Sequence, residues 1–152
     1  MIQPQAFQDI APTHCYGCGS LNEHGHQFKS HWDPDTEKMI CRWQPKPYQK
    51  AGPDIVYGGL IASLIDCQCG VMAPAAVYLQ EGRPFGDAPY PLTVTANLNI
   101  DYRAPLPLDV EAYSECWLES FEGRKLTLAC TVSHGDTLCA KGTALYIKLD
   151  QP

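Results

Sequence analysis

The second half of the chain alternates apolar and polar residues with a period of two. The alternation is clearest from Leu92 to Tyr102, where an apolar side chain occupies every second position. It recurs in three later segments, whose apolar positions are Val110, Ala112 and Cys116, then Leu126, Leu128, Cys130 and Val132, and finally Leu138, Ala140, Gly142, Ala144 and Tyr146. Turn sequences at residues 122–123 and 134–136 separate the last three segments. This pattern predicts four antiparallel strands in one sheet with one covered face.

Two shorter strands are predicted earlier in the chain, at residues 26–32 and 38–43. The sequence between them, Asp33-Pro34-Asp35-Thr36-Glu37, is typical of a turn, so the two strands should form a hairpin. Residues 12–26 show no period of 2 or 3.6, and residues 44–53 contain three prolines. Both segments are therefore predicted to be loops.

One convincing helix is predicted, at residues 58–72, with a kink or a stop at Pro74 and helical character resuming to Leu79. On a helical wheel, one narrow stripe holds Gly59, Ala62, Ser63, Asp66, Gly70 and Ala73. The opposite side holds Leu60, Ile61, Leu64, Ile65, Val71, Met72 and Leu79. A helix that is apolar on most sides must be buried, and the predicted sheet needs a cover. The sequence thus predicts an α+β fold in which an antiparallel sheet wraps one central helix.

Composition fits a single globular domain of 152 residues, with 45% hydrophobic and 18% charged residues. The net charge is -6 and no basic run occurs, so nucleic acid is not an expected partner. No membrane partner is expected either, because Ser63, Asp66, Gln68 and Pro74 interrupt the apolar stretch of residues 60–79. The first residues show neither a charged nor an apolar targeting pattern, which favours a cytoplasmic location.

The eight cysteines are numerous for a chain of this length. Several lie in apolar segments, and the sequence shows no secretory signal, so buried thiols are expected rather than a disulfide framework. Near the N-terminus, His14, Cys15, Cys18, His24 and His26 together could supply a tetrahedral zinc site. Their spacing does not match a standard zinc finger, so we expect no metal and a packed loop near the ligand entrance.

Three motifs, Tyr57-Gly-Gly-x6-Asp66, the segment 99–105 that ends in Pro105, and the Cys-rich segment 15–25, together resemble the phenylacetyl-CoA thioesterase-like family of hotdog-fold proteins. Residues 57–66, Tyr-Gly-Gly-Leu-Ile-Ala-Ser-Leu-Ile-Asp, resemble the family's His-Gly-Gly-x6-Asp motif. Residues 99–105 resemble the strand that ends in Tyr/Phe-x-x-Pro, and residues 15–25 are similar to a Cys-Phe-Gly-Cys-Gly opening in one branch of the family. The resemblance covers residues 14–148. It implies one hotdog domain over residues 1–152, with an N-terminal loop segment at 1–25 and the core at 26–148.

The resemblance also implies a function, the hydrolysis of an acyl-CoA or acyl-carrier thioester without a cofactor. Asp66 matches the family's general base or nucleophile, and the backbone N–H of Gly58 matches the oxyanion donor. Thr95 matches a polar residue that the neighbouring subunit supplies. The family works as dimers or tetramers with the active site at the subunit interface, so a homo-oligomer is expected.

The residues themselves point the same way. A carboxylate in the middle of an apolar helix is costly unless it is hydrogen-bonded or solvated, which makes Asp66 a candidate catalytic group. A pair of glycines at a helix start exposes N–H groups that can bind an oxyanion. Candidate substrate-binding residues are Tyr57, Gly59, Ser63, Gln49, Asn97 and Arg103.

Two departures from the family pattern keep a second function open. Tyr57 stands where the family has His, and Ala51 stands where members often have Asn or Gln, with Gln49 two residues earlier. The alternative is a hotdog protein that binds acyl-CoA or lipid without catalysis. For Asn97, the solvent-facing side of a strand is the competing interpretation.

Overall fold

The computed structural model describes residues 1–151, which form two helices and six strands. The helices are α1 (Phe7–Ile10) and α2 (Gly58–Glu81). The strands are β1 (Ser30–Asp33), β2 (Lys38–Trp43), β3 (Thr93–Tyr102), β4 (Ala112–Glu122), β5 (Lys125–His134) and β6 (Thr137–Lys148). Every predicted element is therefore present, and the loop-rich N-terminal segment adds only the short helix α1.

The strands form one antiparallel sheet in the order β1-β2-β4-β5-β6-β3. Hairpins connect β1 to β2, β4 to β5 and β5 to β6, whereas β3 crosses over to pair with β6 at one edge. Helix α2 contacts β2, β3, β4, β5 and β6. This arrangement confirms the predicted α+β architecture, with the sheet packed around one long helix.

Helix α2 forms the centre of the hydrophobic core. Leu64, Ile65, Cys69 and Val77 have no exposed surface. The helix is long and apolar enough to cross a membrane, but 78% of its most apolar window is buried within the fold. Burial against the sheet therefore accounts for its apolar composition.

Helix α2 does not stop at Pro74, which was one of the two outcomes predicted there. Helix α2 continues through Pro74 to Glu81 and ends at Gly82, whose φ of 64° is left-handed and whose N–H bonds to Leu79 O. Proline inside a helix costs about 3 kcal/mol through a lost hydrogen bond and a clash. Residues 71–78 are all buried, and each large apolar side chain among them contributes about 1.5–3 kcal/mol on burial. Tertiary packing therefore outweighs the local cost.

The first strand is shorter than predicted and begins at Ser30 rather than at residue 26. Gln27 adopts a left-handed backbone conformation with a φ of 59°, which lies outside the range of a regular strand. The Gln27 side chain donates a hydrogen bond to Gly19 O at 3.0 Å. The residues before Ser30 are thus tied to the N-terminal loop instead of the sheet.

A β-bulge divides β3 into two parts. Pairing with β6 runs Thr95↔Tyr146 and then Asn97↔Leu145, so Ala96 has no partner in the ladder. One extra residue reverses which face the following side chains occupy. Thr95 faces α2, whereas Asn97 and Asn99 face away and Leu98 and Ile100 pack on the core. The unbroken alternation predicted from Leu92 to Tyr102 is therefore wrong, because Thr95 lies on the opposite face from Asn97 and Asn99.

All eight cysteines are free thiols. Seven are buried and Cys15 is exposed, which confirms that most of the cysteines pack as small apolar residues.

Candidate active site

The carboxylate of Asp66 lies on the half-buried side of α2 and is held by two side chains from the sheet. Thr95 Oγ1 donates a hydrogen bond to Asp66 Oδ1 at 3.0 Å, and Tyr146 Oη donates to the same oxygen at 2.7 Å. Thr95 and Tyr146 are opposite each other in the pairing of β3 with β6. Their shared register brings both hydroxyls to one carboxylate oxygen.

Tyr146 was not identified as a site residue from the sequence, where it counted only as an apolar position of the last strand. In the structure it is almost completely buried, and its hydroxyl also donates to Asp66 O at 2.9 Å. Burial, together with the neighbouring Asp66 carboxylate, raises the pKa of the Tyr146 phenol well above its usual range. The phenol therefore stays protonated and acts as a donor. The sequence offered one signal for Tyr146: its side chain carries a hydroxyl group at an inward-facing position of the last strand. The structure shows that this position pairs with Thr95.

A cavity of about 300 Å³ opens beside Asp66. Asp66, Gly70, Thr95 and Tyr146 form one side of it. The N-terminal segment forms the other side through Phe7, Gln8, Ala11, Thr13, Cys15 and Cys18. In the part of the chain that the structure describes, Asp66 Oδ2 accepts no hydrogen bond, so this oxygen is available to a ligand in the cavity.

The N-terminus of α2 presents free backbone donors. Tyr57 is the N-cap residue and provides no side-chain cap, and the first bonds of the helix run from the amides of Leu60 and Ile61 to Tyr57 O. The amides of Gly58 and Gly59 precede these bonds and so remain open. The Tyr102 hydroxyl donates to Gly58 O at 2.6 Å and fixes the start of the helix to the end of β3.

A larger cavity of about 710 Å³ lies at this helix end. Four predicted site residues, Gln49, Tyr57, Gly59 and Ser63, line it together. The Tyr57 ring lies over Gly59, and Gln49 Oε1 accepts a hydrogen bond from the Lys46 amide at 2.8 Å. Cationic and aromatic side chains form much of the remaining wall, which also includes one carboxylate and two apolar residues: Tyr16, His24, His26, Lys46, Tyr48, Lys50, Glu23, Gly25 and Leu60.

Gly58 and Asp66 of one chain lie more than two helical turns apart. They are eight positions apart on a continuous helix, which at 1.5 Å per residue separates their backbones by about 12 Å. Asp66 lines the smaller cavity, and the helix start lines the larger one. The oxyanion donor and the carboxylate assigned from the sequence therefore lie at two different cavities within one chain.

Two predicted substrate-binding residues lie outside both cavities. Asn97 is on the outer face of β3, where its side chain accepts a hydrogen bond from the Asn99 amide. Arg103 follows the end of β3, and its guanidinium lies 3.6 Å from the Asp101 carboxylate on the surface. Both residues flank the open edge of the sheet, which no strand covers within residues 1–151.

The family model described as Thioesterase superfamily matches residues 54–141, which contain α2, Asp66 and Thr95. The chain belongs to the thioesterase superfamily. A solved structure, a thioesterase superfamily protein from Shewanella loihica, is 38% identical and superimposes with a TM-score of 0.65. The alignment covers 85% of this chain and 96% of that one. These matches confirm the hotdog fold that the motifs predicted.

Curated relatives include acyl-coenzyme A thioesterase THEM4 from Xenopus laevis and from Rattus norvegicus. They are 35% and 34% identical over 82% and 83% of this chain. The chain spans about half the length of these relatives, 51% and 50% respectively. A hypothetical thioesterase from Streptococcus pneumoniae, solved with coenzyme A, shares the fold with a TM-score of 0.62 at 13% identity.

Proposed function

We propose that this member of the superfamily hydrolyses acyl-CoA or acyl-carrier thioesters, with Asp66 as the catalytic carboxylate. The observation that carries the proposal is the double hydrogen bond from Thr95 and Tyr146 to Oδ1 of Asp66, a residue that lines a cavity. A hydrolytic site needs preorganised polar groups of this kind. They hold the reacting carboxylate in place, so that no energy is spent on reorganising the site during the reaction.

Asp66 can hydrolyse a thioester by either of two chemical routes. As a general base it accepts a proton from water, the hydroxide attacks the thioester carbon, the C–S bond breaks, and Asp66 returns the proton to the departing thiolate. As a nucleophile it attacks the same carbon and expels the thiolate, forming a mixed anhydride that water cleaves to restore the carboxylate. In both routes the negative charge on the carbonyl oxygen needs a donor.

The open amides at the start of α2 suit that role. They lie at the positive end of the helix dipole, where an oxyanion is stabilised. Since Gly58 and Asp66 of one chain are about 12 Å apart along α2, the proposal places Gly58 of one subunit opposite Asp66 of a second subunit. The uncovered edge strand β3, which carries Thr95 and the exposed Val94, provides the surface for a homodimer. A tetramer of two such dimers satisfies the same requirement.

The cavity of about 710 Å³ at the helix start is the proposed site for the carrier part of the substrate. Lys46 and Lys50 supply positive charge for phosphate groups, and Tyr48 and Tyr57 are exposed rings on which an adenine can stack. A pantetheine thioester is common to coenzyme A and acyl carrier protein, so both remain within the proposal. A cytoplasmic location fits the eight free thiols, since reducing compartments keep thiols free.

The test is a panel of acyl-CoA esters and one acylated carrier protein, with free CoA or carrier measured by chromatography. This readout avoids interference from the protein's own thiols. The wild type should turn over at least one ester, and Asp66→Asn should lower kcat about 10²–10⁴-fold while retaining the hydrogen bonds from Thr95 and Tyr146. Asp136→Asn is the matched control, because Asp136 is an exposed carboxylate in the β5–β6 turn.

Two results would count against the proposal. Binding of acyl-CoA by the wild type without turnover would favour the non-catalytic alternative. An Asp66→Asn variant with more than about a tenth of wild-type kcat would remove Asp66 from the chemistry.

A further inference from the structure

Three cysteine thiols meet at one point beside the Asp66 cavity, although the sequence separates them widely. The Sγ atoms of Cys15, Cys18 and Cys67 all lie within 4.8 Å of one another. Cys15 and Cys18 belong to the N-terminal loop, whereas Cys67 comes from α2 and follows Asp66 directly. Cys15 is exposed, and the other two are buried. The proposed hydrolysis uses none of these thiols.

The N-terminal loop is shaped around the helix thiol. Gly17, between Cys15 and Cys18, packs so closely on Cys67 that a Cβ atom at this position would lie 2.1 Å from Cys67 Sγ. The Gly19 amide donates to Cys15 O at 2.8 Å and closes the turn. The Cys-x-Gly-Cys-Gly sequence therefore forms a tight turn that presents two sulfur atoms to a third.

Cation binding by this cluster would be coupled to proton release, because a thiol must lose its proton to act as a ligand. A divalent cation that binds all three sulfur atoms as thiolates displaces the thiol protons.

We propose that Cys15, Cys18 and Cys67 form a three-thiolate site for a thiophilic cation, with Zn²⁺ as the ion that fits best. Three sulfurs bound to zinc at about 2.3 Å in a tetrahedral arrangement lie about 3.8 Å apart, within the separation seen here. The exposed side of Cys15 leaves the fourth position open to water. Soft thiolate ligands favour such ions over Mg²⁺ or Ca²⁺.

This inference revises the expectation of no metal that the sequence supported. That expectation considered His14, His24 and His26 as the partners of Cys15 and Cys18. The third ligand in the structure is instead Cys67, and the His26 ring packs with Tyr16 and Phe28 at centroid distances of 5.1 and 5.4 Å.

The site would connect the N-terminal segment to the central helix. Cys15, Cys18 and Cys67 all line the cavity that contains Asp66. A bound cation would therefore fix the wall of that cavity opposite Thr95 and Tyr146. Because the ion binds only the folded loop, it should also raise the thermal unfolding temperature.

The test is metal analysis of the reduced protein. Wild type treated with a phosphine reductant is incubated with Zn²⁺, dialysed and analysed for metal content. About one zinc per chain is expected for the wild type, and none for Cys15→Ser or Cys67→Ser. Cys139→Ser is the matched control, since Cys139 is a buried thiol outside the cluster. Circular dichroism checks that each variant is folded, and the exposed Cys15 is the substitution least able to disturb folding.

Cobalt provides a second measurement. Co²⁺ in place of Zn²⁺ should give the thiolate-to-metal charge-transfer absorption of a tetrahedral site in the wild type and in Cys139→Ser, and the absorption should be lost in Cys15→Ser. Three outcomes would overturn the proposal: no uptake by the reduced wild type, uptake that persists in both cluster variants, or a disulfide between two of the three cysteines in place of metal. None of these readouts depends on thioesterase activity.

Discussion

The hydroxyl of Tyr146 donates to two atoms of Asp66, the carboxylate oxygen Oδ1 at 2.7 Å and the backbone oxygen at 2.9 Å. A residue of the last strand thereby fixes both the side chain and the backbone of the candidate catalytic residue. Thr95 completes the support from the edge strand. The carboxylate is thus oriented by the sheet, although the helix carries it.

Tyr146→Phe should reduce turnover without preventing substrate binding. The variant keeps the ring but removes the stronger of the two donors to Asp66 Oδ1. A hydrogen bond to a charged group contributes about 1.5–3 kcal/mol, so kcat should fall about 10-fold or more while KM changes little. Steady-state kinetics measure both constants. Tyr113→Phe is the control, because its hydroxyl donates to Glu115 and neither residue lines the Asp66 cavity. A rise in KM at constant kcat would assign Tyr146 to substrate binding instead.

Much of this fold follows from local patterns. The alternation at Leu126, Leu128 and Cys130 predicts β5, and the residues around Gly58 predict the start of α2. The predictions that failed depend on single residues or on contacts between residues that are distant in the chain. Ala96 is one unpaired residue that reverses the phase of β3, and nothing in its local sequence distinguishes it.

The candidate site was predictable only in part, for the same reason. Asp66 is visible because a carboxylate in an apolar helix violates the local pattern. Tyr146 and Cys67 fit the apolar patterns of their own strand and helix. Their candidate roles depend on contacts with residues far away in the chain. Continuation of α2 past Pro74 likewise depends on burial that the sequence of the helix does not reveal.

Gly142→Ala should destabilise the protein through overpacking between β6 and α2. A Cβ atom at residue 142 would lie 2.6 Å from Ile65 Cγ2, and Ile65 is fully buried and cannot move aside. Overpacking of this kind costs about 1–3 kcal/mol in the free energy of unfolding, measurable by urea denaturation. Ile65→Ala removes the clashing atom. Adding Gly142→Ala to that variant should therefore cost at least about 0.5 kcal/mol less than in the wild type. Equal costs in both backgrounds would show that the contact with Ile65 is not the cause.

Gly58→Pro tests the backbone donor directly. Gly58 is the first residue of α2, where proline is tolerated, and the Tyr57 ψ of 126° is compatible with a following proline. The substitution removes the N–H and places the Cδ of the proline ring on the nitrogen. If this amide stabilises the oxyanion, kcat should fall about 10²–10³-fold. Gly58→Ala keeps the N–H, and its Cβ would make an ordinary contact with the Tyr102 ring at 3.6 Å, so it should retain most of the activity. Equal activities of the two variants would rule out the amide as the donor.

Subunit complementation decides whether the active site is shared. Asp66→Asn and Gly58→Pro should each inactivate the homodimer, whose size light scattering can establish. If a site combines Gly58 of one subunit with Asp66 of the other, a heterodimer of the two variants contains one fully intact site and one doubly altered site. Co-expression with two different affinity tags and purification through both isolates that heterodimer. Its activity should then recover to about half of the wild-type value per dimer.

If both groups act within one chain, each chain of the heterodimer carries a defect and the mixture stays inactive. A wild type that is monomeric at micromolar concentration and still hydrolyses thioesters would exclude the shared site altogether. The separation of about 12 Å along α2 favours recovery, because the helix start and Asp66 line different cavities within one chain.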